Sequence, residues 1–376
     1  MHRDAVAAFD AIAGRLRRRP DVEAHDLVAA DASDRLVLAE SAPHAGELVV
    51  IGDRYGGLTL PLVAADPTRR IRLHQDAITG ERALERNADA VGVDVARVAR
   101  HGLDADLVRD ARLVLLQLPR ALDALDEIAG LVAAHAAADV RLVAGGRVKH
   151  MTLGMNDVLA RHFADVRASR AASKSRVLHA TRPRRAGRRG WPRSERHEDL
   201  GITVCAHGAA FAGSSVDLGT RFLLGFLPDM PVVERAVDLG CGTGAIAASY
   251  ALAHPGASVI ASDQSAAAVA SATATAEANG LSGRVVVARD DGLGARPDAS
   301  ADLVLLNPPF HSGAAVVDRI APRLFGEAAR VLRPGGELWC VWNSHLAYRP
   351  ALERLVGPTR QVGRNSRFTV TASTRR

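Results

Sequence analysis

The sequence contains few cysteines and few aromatic residues, and the shortage of cysteines excludes whole classes of protein. Only three of its 376 residues are cysteines, Cys205, Cys241 and Cys340, and no two of them form a CxxC pair. This spacing excludes a zinc ribbon and a disulfide-stabilised scaffold, and it favours a reducing compartment such as the cytoplasm. Aromatic side chains make up 4% of the chain. Together with the abundant Ala and Arg, that share is typical of GC-rich genomes and indicates no function.

Long apolar runs are also missing. No stretch approaches the roughly 18 apolar residues that a membrane span requires. The N-terminus carries Asp4, Asp10 and the cluster Arg15–Arg19 instead of a signal-peptide core. We therefore expect a cytoplasmic protein without membrane contact. The hydrophobic share of 48% and the charged share of 24% are those of a globular protein, and the length predicts two domains.

The net charge of +6 is unevenly distributed. Between Arg167 and Arg196 there are eleven Lys and Arg residues but a single acid, Glu195. Pro183, Pro192 and the absence of apolar periodicity predict a linker over residues 168–198. It is either a solvated tether or an arm that contacts RNA phosphates without reading the base sequence.

Both halves of the sequence alternate strand-like apolar runs with Ala-rich helical stretches. This pattern predicts doubly wound α/β domains with a mainly parallel sheet. Three landmarks recur at a nearly constant spacing of 188 to 190 positions, which predicts an internal duplication. They are Val49–Gly56 before Val237–Gly244, Leu113–Arg120 before Leu303–Phe310, and Gly145-Gly146 before Gly335-Gly336.

The first copy has lost residues that the second retains. Val50 replaces the acid Asp238, and Arg54 replaces Gly242 in a turn where a ligand must approach the backbone closely. The segment Gln117–Arg120 no longer spells Asn-Pro-Pro-Phe. We therefore expect residues 1–167 to form a degenerate domain without catalytic activity, which supports the fold, contacts RNA or does both. Residues 199–376 would form the catalytic domain.

A glycine loop opens the second copy. The apolar strand that ends at Leu239 is followed directly by Gly240, Gly242 and Gly244, and then by a helical run. A strand, a glycine loop and a helix N-terminus together receive ligands at the edge of such a sheet. The loop alone is compatible with S-adenosylmethionine, with a nicotinamide cofactor or with a relic that binds nothing.

Three acids near this loop favour one ligand. Asp238 precedes the glycines and suits a cationic or amine-bearing ligand better than a pyrophosphate. Asp263 ends the next strand, where a carboxylate can accept both ribose hydroxyls. Asp290 follows a third strand and is placed to hold an adenine amine. We therefore predict that these acids and glycines bind S-adenosylmethionine.

The fourth strand of this copy ends in Asn307, Pro308, Pro309 and Phe310. The Asn307 side-chain oxygen and the Pro308 carbonyl can accept the two hydrogens of a planar exocyclic amine and expose its lone pair to a methyl group. The prolines hold this backbone rigid, and Phe310 can stack on a base. The alternative is a Pro-Pro strand end followed by a core Phe, which the preceding glycine loop disfavours.

The sequence provides no clear nucleophile or general base, and none is needed before attack. Cys241 lies in the cofactor loop and Cys340 in a strand, so both are interpreted as packing residues. His311 follows the catalytic loop and is interpreted as shaping the site or contacting RNA rather than as a base. No metal site is predicted.

These motifs resemble those of the bacterial ribosomal RNA guanine-N2 methyltransferases, the family of small-subunit methyltransferase C and large-subunit methyltransferase G. The resemblance covers about residues 200–376. It rests on His207–Phe211, Asp217–Arg221, Asn307–Gly313, Gly335–Leu338, Asn343–Tyr348 and Arg367–Val370.

The resemblance implies two tandem Rossmann-like class I methyltransferase domains, each with a seven-stranded, mostly parallel sheet, the N-terminal one degenerate. It implies methylation of the N2 amine of a guanine in ribosomal RNA, with His207, Phe211, Phe310 and His311 on the RNA. The partner would be ribosomal RNA or a ribosomal subunit, and the protein a monomer whose fused copies replace a dimer. N6-adenine methylation, protein glutamine N5 methylation and a non-catalytic RNA-binding assembly factor are the alternatives.

Overall fold

A computed structural model describes residues 2–25, 27–41, 46–185, 190–309 and 314–376 of the chain. The chain divides into two compact units, Met1–Gly190 and Trp191–Arg376, which we call the N-terminal unit and the C-terminal unit. Among the described residues, no helix combines the length and the apolar character that crossing a bilayer demands.

The N-terminal unit contains one seven-stranded sheet in the order β3-β2-β1-β4-β5-β7-β6. Strands β1 to β5 are parallel, and β7 runs antiparallel to both of its neighbours. Its strands are β1 (Leu48–Ile51), β2 (Ile71–His74), β3 (Val98–Arg100), β4 (Leu113–Gln117), β5 (Arg141–Arg147), β6 (Phe163–Ala168) and β7 (Ser175–Pro183). Its helices are α1 (His2–Ile12), α2 (Ala32–Glu40), α3 (Thr59–Ala65), α4 (Ile78–Val91), α5 (Ala105–Val108), α6 (Leu122–His135) and α7 (Leu153–His162).

The C-terminal unit repeats this architecture in the order β12-β11-β10-β13-β14-β16-β15 and adds a separate antiparallel pair, β8 and β9. Its strands are β8 (Arg193–His197), β9 (Ile202–Ala206), β10 (Arg235–Leu239), β11 (Ser258–Asp263), β12 (Val285–Arg289), β13 (Ala301–Leu306), β14 (Leu332–Asn343), β15 (Thr359–Arg364) and β16 (Phe368–Thr374). Its helices are α8 (Leu218–Leu224), α9 (Ala245–Ala253), α10 (Ala266–Ala278), α11 (Ala314–Val331) and α12 (Arg349–Leu355).

The central strands are buried on both faces, which explains why they read as continuous apolar runs rather than as alternating ones. In β1, Val49 and Ile51 pack into the core on one face of the sheet, while Leu48 and Val50 pack into the core on the other. All six residues of β13 are buried in the same way. Each sheet therefore carries helices on both faces, as the doubly wound pattern predicts.

The identical strand order of the two sheets confirms the predicted fold class and agrees with a duplication. Ile51 pairs with His74 and Leu116, and Leu239 pairs with Ser262 and Leu306, so the first two landmarks lie at equivalent points.

The third landmark is not equivalent in the two units. Gly145 lies opposite Gln117, the last residue of β4, whereas Gly335 and Gly336 precede Glu337, which pairs with Leu303 near the start of β13. The repeated Gly-Gly pair is a coincidence of spacing.

The prediction of a linker over residues 168–198 is wrong for its described part. Ser175–Pro183 is β7, which lies between β5 and β6 and pairs with both, and Arg193–His197 is β8. The pattern of β7 was missed because half-buried His and Arg side chains interrupt its buried positions.

Several cations of this basic segment are engaged within the N-terminal unit. Arg182 pairs with Asp165, while Arg184 and Arg185 donate hydrogen bonds to the carbonyl oxygens of Phe163 and Ala136. These three arginines contact residues of the N-terminal unit, so they do not form a free arm.

Candidate active site

The predicted site residues of the C-terminal unit meet at the carboxyl edge of its sheet. Asp238 in β10 lies opposite Ala261 in β11 and Leu305 in β13, and all three strands are parallel. Residues that follow these strands therefore reach the same edge. The glycine loop after Leu239, the carboxylate of Asp263 and the amide of Asn307 come together there.

The glycine loop is hydrogen-bonded to the end of β11. The Gly240 and Cys241 amides donate to the Ser262 carbonyl oxygen at 2.8 and 3.0 Å, and the Gly242 amide donates to Oδ2 of Asp263 at 3.0 Å. Gly244 has φ 77°, and a Cβ there would come within 3.0 Å of Ala272 in α10. Only glycine fits at this position without strain or displacement of α10.

Asp238 is fully buried beneath this loop. Its Oδ2 accepts the Ala247 amide of α9 at 3.0 Å, while its Oδ1 is buried and has no hydrogen-bond partner among the described residues. Burial raises the pKa of Asp238 to about 7, and the nearby Asp263 charge adds to the rise. A buried acceptor without a donor is costly, so this oxygen fits a ligand that brings an amine or a positive charge.

The other two acids are held by backbone amides. Asp263 accepts the Ser265 amide at 2.9 Å on Oδ1, in addition to the Gly242 amide on Oδ2. Asp290, almost fully buried, accepts the amides of Asp291 and Ala295 at 2.8 Å. The backbone thus fixes the orientation of both carboxylates at this edge of the sheet.

Asn307 is held in one orientation by two partners from α8. Its Nδ2 donates to Oδ2 of Asp217 and to Oγ1 of Thr220, both at 3.0 Å. Because an ionised carboxylate only accepts, the nitrogen must face Asp217. The Asn307 Oδ1 then points away from both, and it is buried without a partner among the described residues.

Asp217 also begins α8 as its N-cap. Its Oδ2 accepts the amides of Gly219 and Thr220 at 2.9 and 3.2 Å, which is the usual way to satisfy the first amides of a helix. A Cβ at Gly219 would lie 3.0 Å from the same oxygen and 3.5 Å from the Asn307 Nδ2. The helix start and the catalytic loop therefore share one carboxylate.

Sequence reasoning missed the roles of Asp217 and Thr220. The segment Asp217–Arg221 entered only as a motif of the resemblance. An Asp followed by a helical run is a recognisable N-cap signal, but its contact with Asn307, 90 residues away, depends on the tertiary fold.

The remaining predicted residues are placed unevenly. Pro308 is buried and Pro309 is exposed. Phe310 and His311 lie outside the described residues, so their roles remain predictions. Phe211 is 56% exposed, which suits a residue that would meet RNA.

The segment that leads to His207 is tied to helix α10. The amides of Thr203, Cys205 and His207 donate at 2.9 Å to side-chain oxygens on one face of that helix, those of Asn279, Thr275 and Ser271. Helix α10 also borders the glycine loop, since Ala272 lies next to Gly244, so the segment that ends at His207 is anchored to an element that lines this loop.

The chemistry of the thiols agrees with a packing role. Burial raises the pKa of Cys241 and of Cys340 well above the usual thiol range, and the Asp263 and Asp238 charges contribute at Cys241. Both thiols stay protonated and are poor nucleophiles. Among the residues described, no group of His, Cys, Asp or Glu is arranged to hold a metal ion.

The equivalent edge of the N-terminal unit has different residues. The sheet registers place Val50, Gln75 and Leu103 where the C-terminal unit has its three acids. Gln117, which stands in the place of Asn307, donates its side-chain amide to Asp34, a buried residue of α2. The amide-to-acid contact is thus retained while the cofactor acids are lost.

Comparison with known proteins places both units in described families. A family model for the RLMG N-terminal domain matches residues 6–184, and a model for the methyltransferase small domain matches residues 201–372. Ribosomal RNA large subunit methyltransferase G from Streptomyces avermitilis is 36% identical, covering 94% of this chain and 95% of its own length. The corresponding protein from Pseudomonas aeruginosa is 34% identical and covers 94% and 96%.

The fold is also known from experiment. A 16S rRNA N2 methyltransferase from T. thermophilus, solved in complex with AdoMet and guanosine, superposes with a TM-score of 0.74 over 92% of each chain at 22% identity. At that identity the similarity extends to the fold, and it covers both units.

Proposed function

We propose, from the premise that this chain belongs to the ribosomal RNA large subunit methyltransferase G family, that it methylates the N2 amine of a guanine in ribosomal RNA. The enzyme is a methyltransferase. The observation that carries the proposal is the Asn307 Oδ1, which is buried, has no partner among the described residues and is fixed in direction by Asp217 and Thr220.

The three acids fit S-adenosylmethionine as the methyl donor. The partnerless Oδ1 of Asp238 would accept the amine of the methionine moiety, Asp263 the ribose hydroxyls, and Asp290 the adenine amine. When bound, this cofactor supplies a methyl group on a positively charged sulfur. The glycine loop allows its close approach to the backbone.

The chain's own residues act on the acceptor amine. The lone pair of a guanine N2 is delocalised into the ring, so the nitrogen is a weak nucleophile. Asn307 Oδ1 and the Pro308 carbonyl oxygen would each accept one N–H, which favours a pyramidal nitrogen with its lone pair directed at the methyl group. After transfer the nitrogen carries a positive charge and releases one proton to water. No protein base is needed for the attack.

Amine polarisation alone does not choose the base. Adenine N6 and glutamine N5 are planar amines as well and could be held in the same way. The choice of ribosomal RNA rests on the large-subunit relatives, and the choice of guanine N2 rests on the Asn307–Gly313 motif.

The decisive experiment is mass spectrometry of nucleosides from ribosomal RNA of cells with and without the gene. We expect N2-methylguanosine from the large-subunit RNA to fall in the deletion strain. Re-expression of the wild-type protein should restore it, whereas Asn307→Ala should not. An unchanged N2-methylguanosine level with a loss of N6-methyladenosine would assign the adenine reaction instead.

A further inference from the structure

His197 is a buried histidine whose two ring nitrogens are both engaged. It is the last residue of β8 and pairs with Ile202 of β9, and only 5% of its surface is exposed. Its Nε2 lies 2.8 Å from the carbonyl oxygen of Ser214, and its Nδ1 lies 3.0 Å from a guanidinium nitrogen of Arg221. The imidazole thus joins the antiparallel pair of β8 and β9 to two other segments of the C-terminal unit.

The two contacts are made by one form of the ring. A guanidinium group only donates hydrogen bonds, so Nδ1 of His197 accepts from Arg221. A backbone carbonyl oxygen only accepts, so Nε2 carries the proton and donates it to Ser214. An asparagine amide reaches only the position of Nδ1, and a glutamine amide only that of Nε2. Histidine is therefore suited to make both contacts at once.

The two partners of His197 lie on either side of Asp217. Ser214 is three residues before Asp217, and Arg221 is four residues after it, one turn into α8. The Arg221 amide donates to the Asp217 carbonyl oxygen at 2.8 Å, which closes the first turn of that helix. One side chain from a neighbouring strand therefore contacts both ends of the short stretch that carries Asp217.

Two carboxylates support the same contacts from the surface. Glu195, two residues earlier on the same face of β8, accepts the Ser214 hydroxyl at 3.0 Å. Asp199 forms an ion pair with the Arg221 guanidinium. Both acids are exposed, and solvent weakens exposed ion pairs. The buried imidazole of His197 is thus the part of this anchor that is shielded from water.

Asp217 transmits the constraint to the catalytic loop. Its Oδ2 accepts from Nδ2 of Asn307 at 3.0 Å. The same oxygen accepts the amides of Gly219 and Thr220 at 2.9 and 3.2 Å. A displacement of Asp217 would therefore turn the Asn307 amide and move its Oδ1. Misplacement of a catalytic group by about 1 Å can lower a rate by about 100-fold, so the anchor of Asp217 matters for the reaction.

We propose that His197 is a positioning residue for methyl transfer, which holds Asp217 in place and, through it, the amide of Asn307. This inference rests on the proposed function, since it takes Asn307 as the residue that contacts the acceptor amine. The three cofactor acids accept hydrogen bonds from other backbone amides. Loss of the imidazole should therefore lower kcat and leave the affinity for S-adenosylmethionine unchanged.

Three variants of the full chain separate the two contacts. His197→Phe keeps a flat ring and removes both. His197→Gln keeps a donor for Ser214, whereas His197→Asn keeps an acceptor for Arg221. The matched control is Tyr250→Phe, which removes another buried hydrogen bond of the same unit, from the Tyr250 hydroxyl to the Pro231 carbonyl oxygen at 2.6 Å.

Methyl transfer is measured with labelled S-adenosylmethionine on large-subunit ribosomal RNA and on ribosomal subunits from cells that lack the gene. We expect kcat of His197→Phe to fall about tenfold or more. The Gln and Asn variants should each lose about 2–12-fold, the effect of one hydrogen bond. KM for S-adenosylmethionine should not change in any of them, and Tyr250→Phe should keep the wild-type kcat.

Two further measurements test the route through Asn307. A double-mutant cycle joins His197→Phe with Thr220→Val, which removes another contact of the Asn307 amide. If both changes act on Asn307, the double variant should lose less than the product of the two single losses. Hydrogen exchange at the Gly219 and Thr220 amides, followed by NMR without substrate, should be faster in His197→Phe. It should be unchanged in Tyr250→Phe.

The outcomes separate this inference from the proposed function. A wild-type kcat or wild-type exchange rates in His197→Phe would overturn the inference. So would a double variant that loses the full product, or an equal loss of kcat in Tyr250→Phe. If His197→Phe behaves as expected but the methyl group is found on adenine N6, the guanine assignment fails and the positioning role stands. If the wild type methylates no ribosomal RNA, the proposed function fails, and exchange at the two amides still decides whether His197 holds Asp217.

Discussion

The proposed chemistry depends on Asn307, whose contacts are separate from those of the three acids. Its amide nitrogen is occupied by Asp217 and Thr220, and its oxygen faces no described partner. None of these three residues belongs to the cofactor acids. Changes at Asn307 should therefore act on the acceptor side of the reaction.

Replacement of Asn307 by Ala should abolish methyl transfer and leave S-adenosylmethionine affinity nearly unchanged. The reason is that, in the proposed mechanism, the amide oxygen accepts a hydrogen bond from the acceptor amine and makes no contact with the cofactor. Single-turnover assays with labelled cofactor and calorimetry with the same protein measure the two properties. Retained turnover would remove the proposed role.

Thr220 is a positioning residue, and a variant can isolate that role. Thr220→Val keeps the shape but removes the hydroxyl that accepts from Asn307. The loss of one hydrogen bond, about 0.5–1.5 kcal/mol, should lower kcat by roughly 2–12-fold with little change in KM. Thr220→Ser should restore the rate. An equal loss in both variants would indicate a packing defect instead.

Asp238 should give cofactor binding a pH dependence. Its pKa is raised to about 7 without ligand, and the ionised form is the one that attracts a positive charge. The affinity for S-adenosylmethionine should therefore rise as pH increases from 6 to 8. Asp238→Asn should bind weakly with no such rise. A wild-type affinity that is flat over this range would contradict the assignment.

The same group makes unfolding pH-dependent in the opposite sense. Because the folded pKa lies above the unfolded value of 3.8, the unliganded protein loses stability as pH rises from about 4 to 7. The Asp238→Asn variant should lack this pH-dependent loss of stability.

At the scale of elements, one ion-pair group ties three strands together. Asp302 at the start of β13 accepts from the Arg235 side chain at 2.9 Å and from the Arg235 amide at 3.1 Å, and it also pairs with Arg333 in β14. The Arg235 and Arg333 hydrogen bonds lower the pKa of Asp302 to about 2. This group lies at the amino edge, far from the glycine loop.

Asp302→Asn should lower the free energy of unfolding of the C-terminal unit by about 1–2 kcal/mol at pH 7. This value lies in the lower part of the range for hydrogen bonds to charged groups, because both guanidinium groups are half exposed to solvent, which weakens the interaction. Since the folded pKa is depressed, the advantage of the wild type is present above pH 4 and declines as pH falls towards 2. Urea unfolding at several pH values measures it. A difference that does not change with pH would contradict the ion-pair explanation.

The local pattern of apolar residues predicted the strands that carry the cofactor and catalytic motifs. Strand β10 with its glycine loop and strand β13 with Asn307 combine a buried apolar run with a distinctive terminus, so their place in the sheet follows from sequence. Strand β7 has neither feature. Its place depends on pairing with β5 and β6, which no local composition reveals, and the same holds for the contact of Asp217 with Asn307.

At the scale of the whole molecule, two sheets of one topology carry different residues at their carboxyl edges. The N-terminal unit retains the loop geometry, with Gly52 and Gly56 at positive φ, but Asp53 accepts the amides of Gly56 and Thr59 itself. The loop amides that would face a ligand are thus partly used by the unit's own side chain.

We therefore expect one S-adenosylmethionine per chain. Calorimetry should give a stoichiometry near one, and Asp263→Ala should weaken that single event by about 1–3 kcal/mol, the scale for a lost charge-assisted hydrogen bond. Gln75→Ala, at the equivalent place in the N-terminal unit, is the matched control and should leave binding unchanged. A stoichiometry near two would show that the first copy still binds.

The shared strand order also poses a problem for the nascent chain. In tandem copies of one topology, a strand of one copy can pair with the sheet of the other copy during synthesis. Here the spacing differs: Arg141 follows its partner Leu113 by 28 positions, whereas Glu337 follows Leu303 by 34 and the pairing is interrupted by a bulge. The connection between the fourth and fifth strands therefore differs by six positions, so the two copies are not interchangeable segment for segment.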